Sequence, residues 1–208
     1  NVLADGARTQ AWLMLAQAAD LRGDAKAASG WLDKIDDPRR ALEVQTRRAM
    51  LLARQGQLGQ ARALVRQVPE REPDDARAKL VAESQVLREV KRWPEAHAVL
   101  SQAAEKYPKD VDLLYEQAMM AEKLSRLDEM ERGLRRVIEL KPDHHHAYNA
   151  LGYSLAERNQ RLPEARELIV KALEMAPADP FITDSLGWVE FRLGNHAKAL
   201  EHLQRAYA

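Results

Sequence analysis

The chain has no cysteine among its 208 residues. That excludes a disulfide framework, a thiolate zinc site and a cysteine nucleophile, and it leaves cytoplasm and periplasm equally open as redox compartments. Net charge is also missing, because 32 Lys and Arg offset 32 Asp and Glu. The basic footprint of a nucleic-acid binder, or of a surface that clings to anionic lipid, is therefore absent. No apolar run approaches the roughly 18 residues a membrane span needs, and the opening NVLADGARTQ has neither the basic start nor the apolar centre of a secretory leader. NVLADGA reads as the end of a helix, so the expectation is a fragment whose targeting segment lies upstream. Catalytic signatures are lacking too: no glycine-rich phosphate loop, no nucleophile elbow, no HExxH and no serine set beside a histidine base. Neither an enzyme nor a cofactor is expected.

What the sequence does have is a composition 46% hydrophobic and 31% charged, which suits a folded chain, and an internal period. Leu151-Gly152 returns 35 residues later as Leu186-Gly187, and Ala165 and Ala172 return 34 later as Ala199 and Ala206. One extra residue in the turn ERNQRLPEA accounts for the difference. The pattern resembles the tetratricopeptide repeat, a helix-turn-helix of about 34 residues with a large residue at position 4, Leu-Gly or Leu-Ala at 7 and 8, Ala at 20 and 27, and Pro at 32. In this frame position 20 holds Ala28, Ala61, Ala96, Met130, Ala165 and Ala199, preceded by the turns RGD, QGQ, KRW, SRL, NQR and LGN. Pro73, Pro108, Pro142 and Pro177 fall at or beside position 32, while Pro38 sits slightly early.

The expected fold is all-α, a right-handed solenoid of six such repeats spanning about 9–41, 42–76, 77–110, 111–144, 145–179 and 180–208 in one array. Trp12, Leu15, Ala16 and Ala19 fit the packing positions of the first repeat. Asp110 and Asp179 are placed to cap the helices that follow them, with Pro180 in a first turn. Met130 and Val137 replace both alanines of the fourth repeat, and Pro69 falls near position 27 of the second, so splaying or a shortened helix is expected there.

At about 100° per residue, positions 2, 5, 9, 12 and 13 lie away from the packing seam, on the face that lines the concave side in tetratricopeptide families. In repeats 1 to 3 this set includes Gln10, Leu13, Gln17 and Asp20, then Glu43, Thr46, Met50 and Arg54, then Ala78, Val81, Gln85 and Arg88. Aromatics gather later, and the ligand-binding residues expected from their composition are Tyr115, Met119, His146, Asn149, Tyr153, Asp184, Trp188, Phe191 and Arg192. Arg47, Arg54 and Arg88 set against Glu116, Glu122, Glu157 and Asp184 would orient an extended ligand by sign. The clamp for acidic chaperone tails is excluded: position 9 holds Gln17, Met50, Gln85, Met119, Tyr153 and Trp188, with no Asn, and no position 2 holds Lys.

The triplet His144-His145-His146 invites a metal reading. Neighbours on a helix diverge by about 100°, whereas two ligands from one helix normally stand four apart, so no metal site is expected there. His97, His196 and His202 read as surface residues. Carboxylates such as Glu129, Glu131, Glu164 and Glu167 read as solvated partners of nearby arginines on outer faces.

Over the last 65 or so residues, NALGY, RLPEA and DSLGWV resemble the C-terminal portion of proteobacterial tetratricopeptide lipoproteins of the outer membrane. These include the adaptor of a carboxyl-terminal processing protease. The resemblance implies a periplasmic, non-catalytic scaffold that brings protein substrates to the protease, with membrane attachment only through a lipid anchor outside this chain. A protein or peptide is the expected partner, and nucleic acid is not. The alternatives are a self-associating module, or one serving pilus, secretion or polysaccharide assembly. A pentatricopeptide-like RNA binder fits less well, since it would be basic with polar readout positions.

Overall fold

The structure, a computed structural model, describes residues 2–207. Among these the chain is all-α. Its helices are α1 (Val2–Leu21), α2 (Ala25–Leu32), α3 (Ala41–Arg54), α4 (Leu58–Arg66), α5 (Asp75–Glu89), α6 (Trp93–Lys106), α7 (Val111–Lys123), α8 (Leu127–Leu140), α9 (His145–Glu157), α10 (Leu162–Met175), α11 (Pro180–Arg192) and α12 (His196–Ala206), with a 3₁₀ turn at Pro38–Arg40. The chain forms two compact units, residues 1–103 and 104–208.

One turn recurs throughout. In each hairpin a single residue at the equivalent place takes a left-handed backbone: Gly23, Gly56, Lys91, Ser125, Asn159 and Gly194. The next N–H then bonds back to a carbonyl of the preceding helix, as in Gln57 to Leu52 and Gln160 to Leu155, both at 2.9 Å. This closes the open carbonyls of a helix end and reverses the chain in a few residues. The extra residue of ERNQRLPEA is absorbed by a second left-handed residue, Arg161, with φ 45°. Helix starts are fixed by side chains: Asp110 accepts from the Leu113 N–H, and Asp179 accepts from those of Phe181 and Ile182 with Pro180 in the first turn.

Small residues set the helix spacing. A Cβ on Gly152 would stand 2.6 Å from Ile169 Cγ1 and 2.8 Å from the Ala165 carbonyl, and one on Gly187 would meet Leu203 at 2.8 Å. In unit 2 the core runs through Leu134, Leu151, Leu155, Ile169, Ile182 and Val189, with Trp188, Tyr115 and Met119 packed against it half-buried. Unit 1 includes smaller clusters, one around Leu13, Leu32, Ile35 and Val44 and another around Ala49, Ala61, Val65 and Val86.

Several expectations change. Leu13, expected on the concave face, is a core residue, while Leu15, expected in the seam, is 42% exposed. The fourth repeat does not splay: α8 runs its full 14 residues with Met130 and Val137 buried, and a Cβ on Gly133 would stand 3.0 Å from the Ala118 methyl. The second repeat does shorten, α4 having nine residues. His97 is buried rather than on the surface.

Candidate functional site

In unit 1 the first helices of repeats 1 to 3 line an open cleft of about 620 Å³. Gln17 and Asp20 from α1, Glu43, Thr46 and Met50 from α3, and Ala78, Val81 and Gln85 from α5 surround it, all from the set expected to be concave. Leu32, Leu42, Leu51 and Ala82 add apolar surface. Its charges are spent on one another: Arg47 pairs with Glu43 at 3.6 Å, and Arg54 pairs with Asp20 and, at 2.7 Å, with Glu89. Two of the three arginines expected at this end are thus paired with acids, and the cleft's own charges, Asp20 and Glu43 against Arg47 and Arg77, balance over a largely apolar lining. Sequence reasoning named these residues but passed over them as a site because it weighted aromatics; the apolar run Met50, Ala78 and Val81 was the signal available.

Unit 2 brings the aromatic residues onto related surfaces of α7, α9 and α11. Tyr153 is exposed, and desolvation together with Glu157, Asp184 and Glu122 pushes its hydroxyl above the usual tyrosine range. Tyr115 is half-buried, lies 5.0 Å from the His144 ring, and is raised by burial and then by Glu116 and Glu122. Both tyrosines thus sit in a negative field, with acids from three repeats contributing to it. Trp188 and Phe191 stack at 5.5 Å, the indole half-buried against the core and the phenyl 47% exposed and also near His196. Two buried polar atoms here, Trp188 Nε1 and Asn149 Oδ1, have no hydrogen-bond partner. Met119 is half-buried and His146 exposed.

Arg192 has a structural occupation as well. Its guanidinium lies 5.1 Å above the Trp188 ring, and its Nε and Nη2 donate to the carbonyls of Ala156 and Glu157 at 3.1 and 2.6 Å, closing the end of α9. It shapes the ledge on which Trp188 and Phe191 sit.

The outer-face carboxylates are more organised than simple neighbouring pairs. Glu131 accepts from Arg135 at 2.8 Å and Arg161 at 2.7 Å, and Arg135 also reaches Glu164 at 2.6 Å. Arg161 foremost, with Arg135, holds the Glu131 carboxyl down at about 2. Glu190, at a position normally held by a large apolar residue, is fully buried and pairs with Arg166 and, at 2.7 Å, the Asn195 amide.

At the start of α9, His144 accepts the Ala147 N–H on Nδ1 at 3.1 Å and so acts as the N-cap. Burial holds its ring below the ordinary imidazole value. The rings of His145 and His146 approach to 4.1 Å.

Repeating hairpins with small residues at the contact and a left-handed residue in the turn of each hairpin define a helical-repeat protein. The chain belongs to the tetratricopeptide-repeat superfamily, and the tetratricopeptide repeat family model matches residues 81–129 and 131–180. It is 38% identical over 165 residues, or 79% of its length, to the TPR repeat-containing protein PA4667 of Pseudomonas aeruginosa, and it spans 28% of that relative. Among solved structures it resembles MamA from Desulfovibrio magneticus RS-1 at 18% identity and a TM-score of 0.64, covering 80% of this chain and 93% of that one. It also resembles YrrB, described as a TPR protein with an unusual peptide-binding site, at 22% identity and 0.60, covering 82% and 91%. These structural likenesses concern the fold.

Proposed function

We propose that the chain is a non-catalytic scaffold that binds proteins or peptides through two chemically different faces. The neutral apolar cleft of unit 1 suits an uncharged, apolar stretch of a partner. The face of unit 2 suits a segment with basic and apolar side chains, because Tyr115, Tyr153, Trp188 and Phe191 supply flat contact area while Glu122, Glu157 and Asp184 supply the charge. The observation that carries the reading is the unit 2 arrangement: the exposed aromatics Tyr153 and Phe191 on consecutive first helices, with Glu122, Glu157 and Asp184 beside Tyr153.

The finer reading is a periplasmic adaptor, held at the outer membrane by an anchor outside this chain, that links a carboxyl-terminal processing protease to its substrates. It rests on the resemblance of NALGY, RLPEA and DSLGWV to the lipoproteins that include such an adaptor. Affinity capture from periplasmic extract of the source bacterium tests it. The protease and a set of its substrates should be enriched, and raising the salt should release ligands of the acidic face first, since exposed charge pairs are screened over about 10 Å at 0.1 M. Capture of other proteins without the protease would overturn the adaptor reading and leave the scaffold. Capture of nothing above background would overturn both.

A further inference from the structure

Helical spacing within α9 argues against metal binding by the histidine triplet, but it considers donors from one helix alone. The fold supplies a third donor from another repeat: one ligand atom from each of His145, His146 and Asp179 lies within 4.8 Å of the other two. We propose that these three side chains bind one divalent transition-metal ion of the zinc class, at a site in unit 2 that draws on His146 from the set expected on the concave face.

The donor set is two imidazoles and one carboxylate. Imidazole nitrogen selects zinc, copper or nickel over magnesium and calcium, which take oxygen ligands, and with no cysteine in the chain no thiolate competes for the ion. Three protein ligands leave a fourth position for water, in keeping with a half-exposed site in which His146 is exposed and His145 and Asp179 are partly covered.

Each donor stands on backbone that is already fixed. His145 opens α9 directly after its cap, where His144 Nδ1 accepts the Ala147 N–H. Asp179 is itself the cap of α11, with Oδ1 occupied by the N–H groups of Phe181 and Ile182 at 2.8 and 3.2 Å and Pro180 stiffening the next position. The second carboxylate oxygen takes part in neither of these bonds. The positive ends of α9 and α11 oppose a cation here, and the Asp179 charge offsets them. His144 is not a ligand: its Nδ1 is committed to the cap and its ring packs on Tyr115. An ion held by these donors would join the first helices of repeats 5 and 6.

Calorimetric titration of the full chain, freed of any purification tag, with zinc chloride at neutral pH tests this directly. The expected result is one ion per chain, with a melting temperature raised by roughly 5 °C when free zinc is about 100-fold above the dissociation constant. His146→Ala should weaken binding at least about tenfold. So should Asp179→Asn, which keeps the helix cap because Asn caps as well as Asp but removes the charge. His202→Ala, outside the cluster, should bind as the parent does, and magnesium should not substitute for zinc. Circular dichroism without metal shows that the variants are folded. Absence of saturable zinc binding would overturn the proposal, as would zinc affinity unchanged in both His146→Ala and Asp179→Asn, or an equal response to magnesium.

Discussion

The α3–α4 and α9–α10 hairpins follow one repeat frame and close differently. In the first, Ala49 and Ala61 belong to one cluster, both fully buried, and the second helix stops after nine residues. In the second, Gly152 allows Ile169 and the backbone at Ala165 to within less than a Cβ contact, and the second helix runs 14 residues. Unit 1 keeps its concave apolar groups around an open cleft; unit 2 packs tightly beneath its first helices and displays aromatics above them. The frame places most residues on the right face, Leu13 and Leu15 excepted, and the size of the residue at the contact limits how closely a hairpin shuts.

Four substitutions break or sharpen that comparison. Gly152→Ala should have the largest effect, because the added methyl cannot move away from the Ala165 carbonyl. A loss of about 2 kcal/mol or more is expected in denaturant unfolding, in the range of core overpacking. Next come the turns. The left-handed residue is Gly56 in the α3–α4 hairpin but Asn159 in α9–α10 and Ser125 in α7–α8. A side chain there costs roughly 1 kcal/mol, so Ser125→Gly should stabilise by about that amount and Gly56→Ala should destabilise by a similar one. The smallest effect concerns acid. Since Glu131 titrates at about 2 when folded and near its ordinary 4.5 when unfolded, its contribution is fully present above 4.5 and is lost as pH falls toward 2. Glu131→Gln should flatten the acid limb of the stability profile in that window and leave the slope above pH 6 unchanged.

Much of this was legible from residue spacing. The 35-residue return of Leu-Gly identified the hairpins, ERNQRLPEA located the extra turn residue that Arg161 absorbs, Asp110 and Asp179 announced their caps, and Pro69 marked the short α4. What was not legible depends on partners from other helices. Met130 and Val137 are buried in one cluster with Ala118, which Gly133, at a slot the repeat pattern does not mark, lets α8 approach closely. Glu190 is buried because Arg166 and Asn195 reach it. The concave rule misplaced Leu13, which packs with Leu32, Ile35 and Val44 across from α1. Arg192 was assigned to ligand from its position alone, without the α9 carbonyls it caps. Asp179 could not be joined to the histidines by any argument confined to one helix.

The central claim is that this scaffold recognises partners through its two faces, and paired variants test it most directly. Met50→Glu places a charge in the unit 1 cleft, and Tyr153→Ala with Trp188→Ala strips the unit 2 face. Quantitative mass spectrometry of captured proteins should show each variant losing a different subset of partners by at least about tenfold, as removal of interface anchors does, while both remain folded by circular dichroism. A partner set unchanged in both would contradict the account.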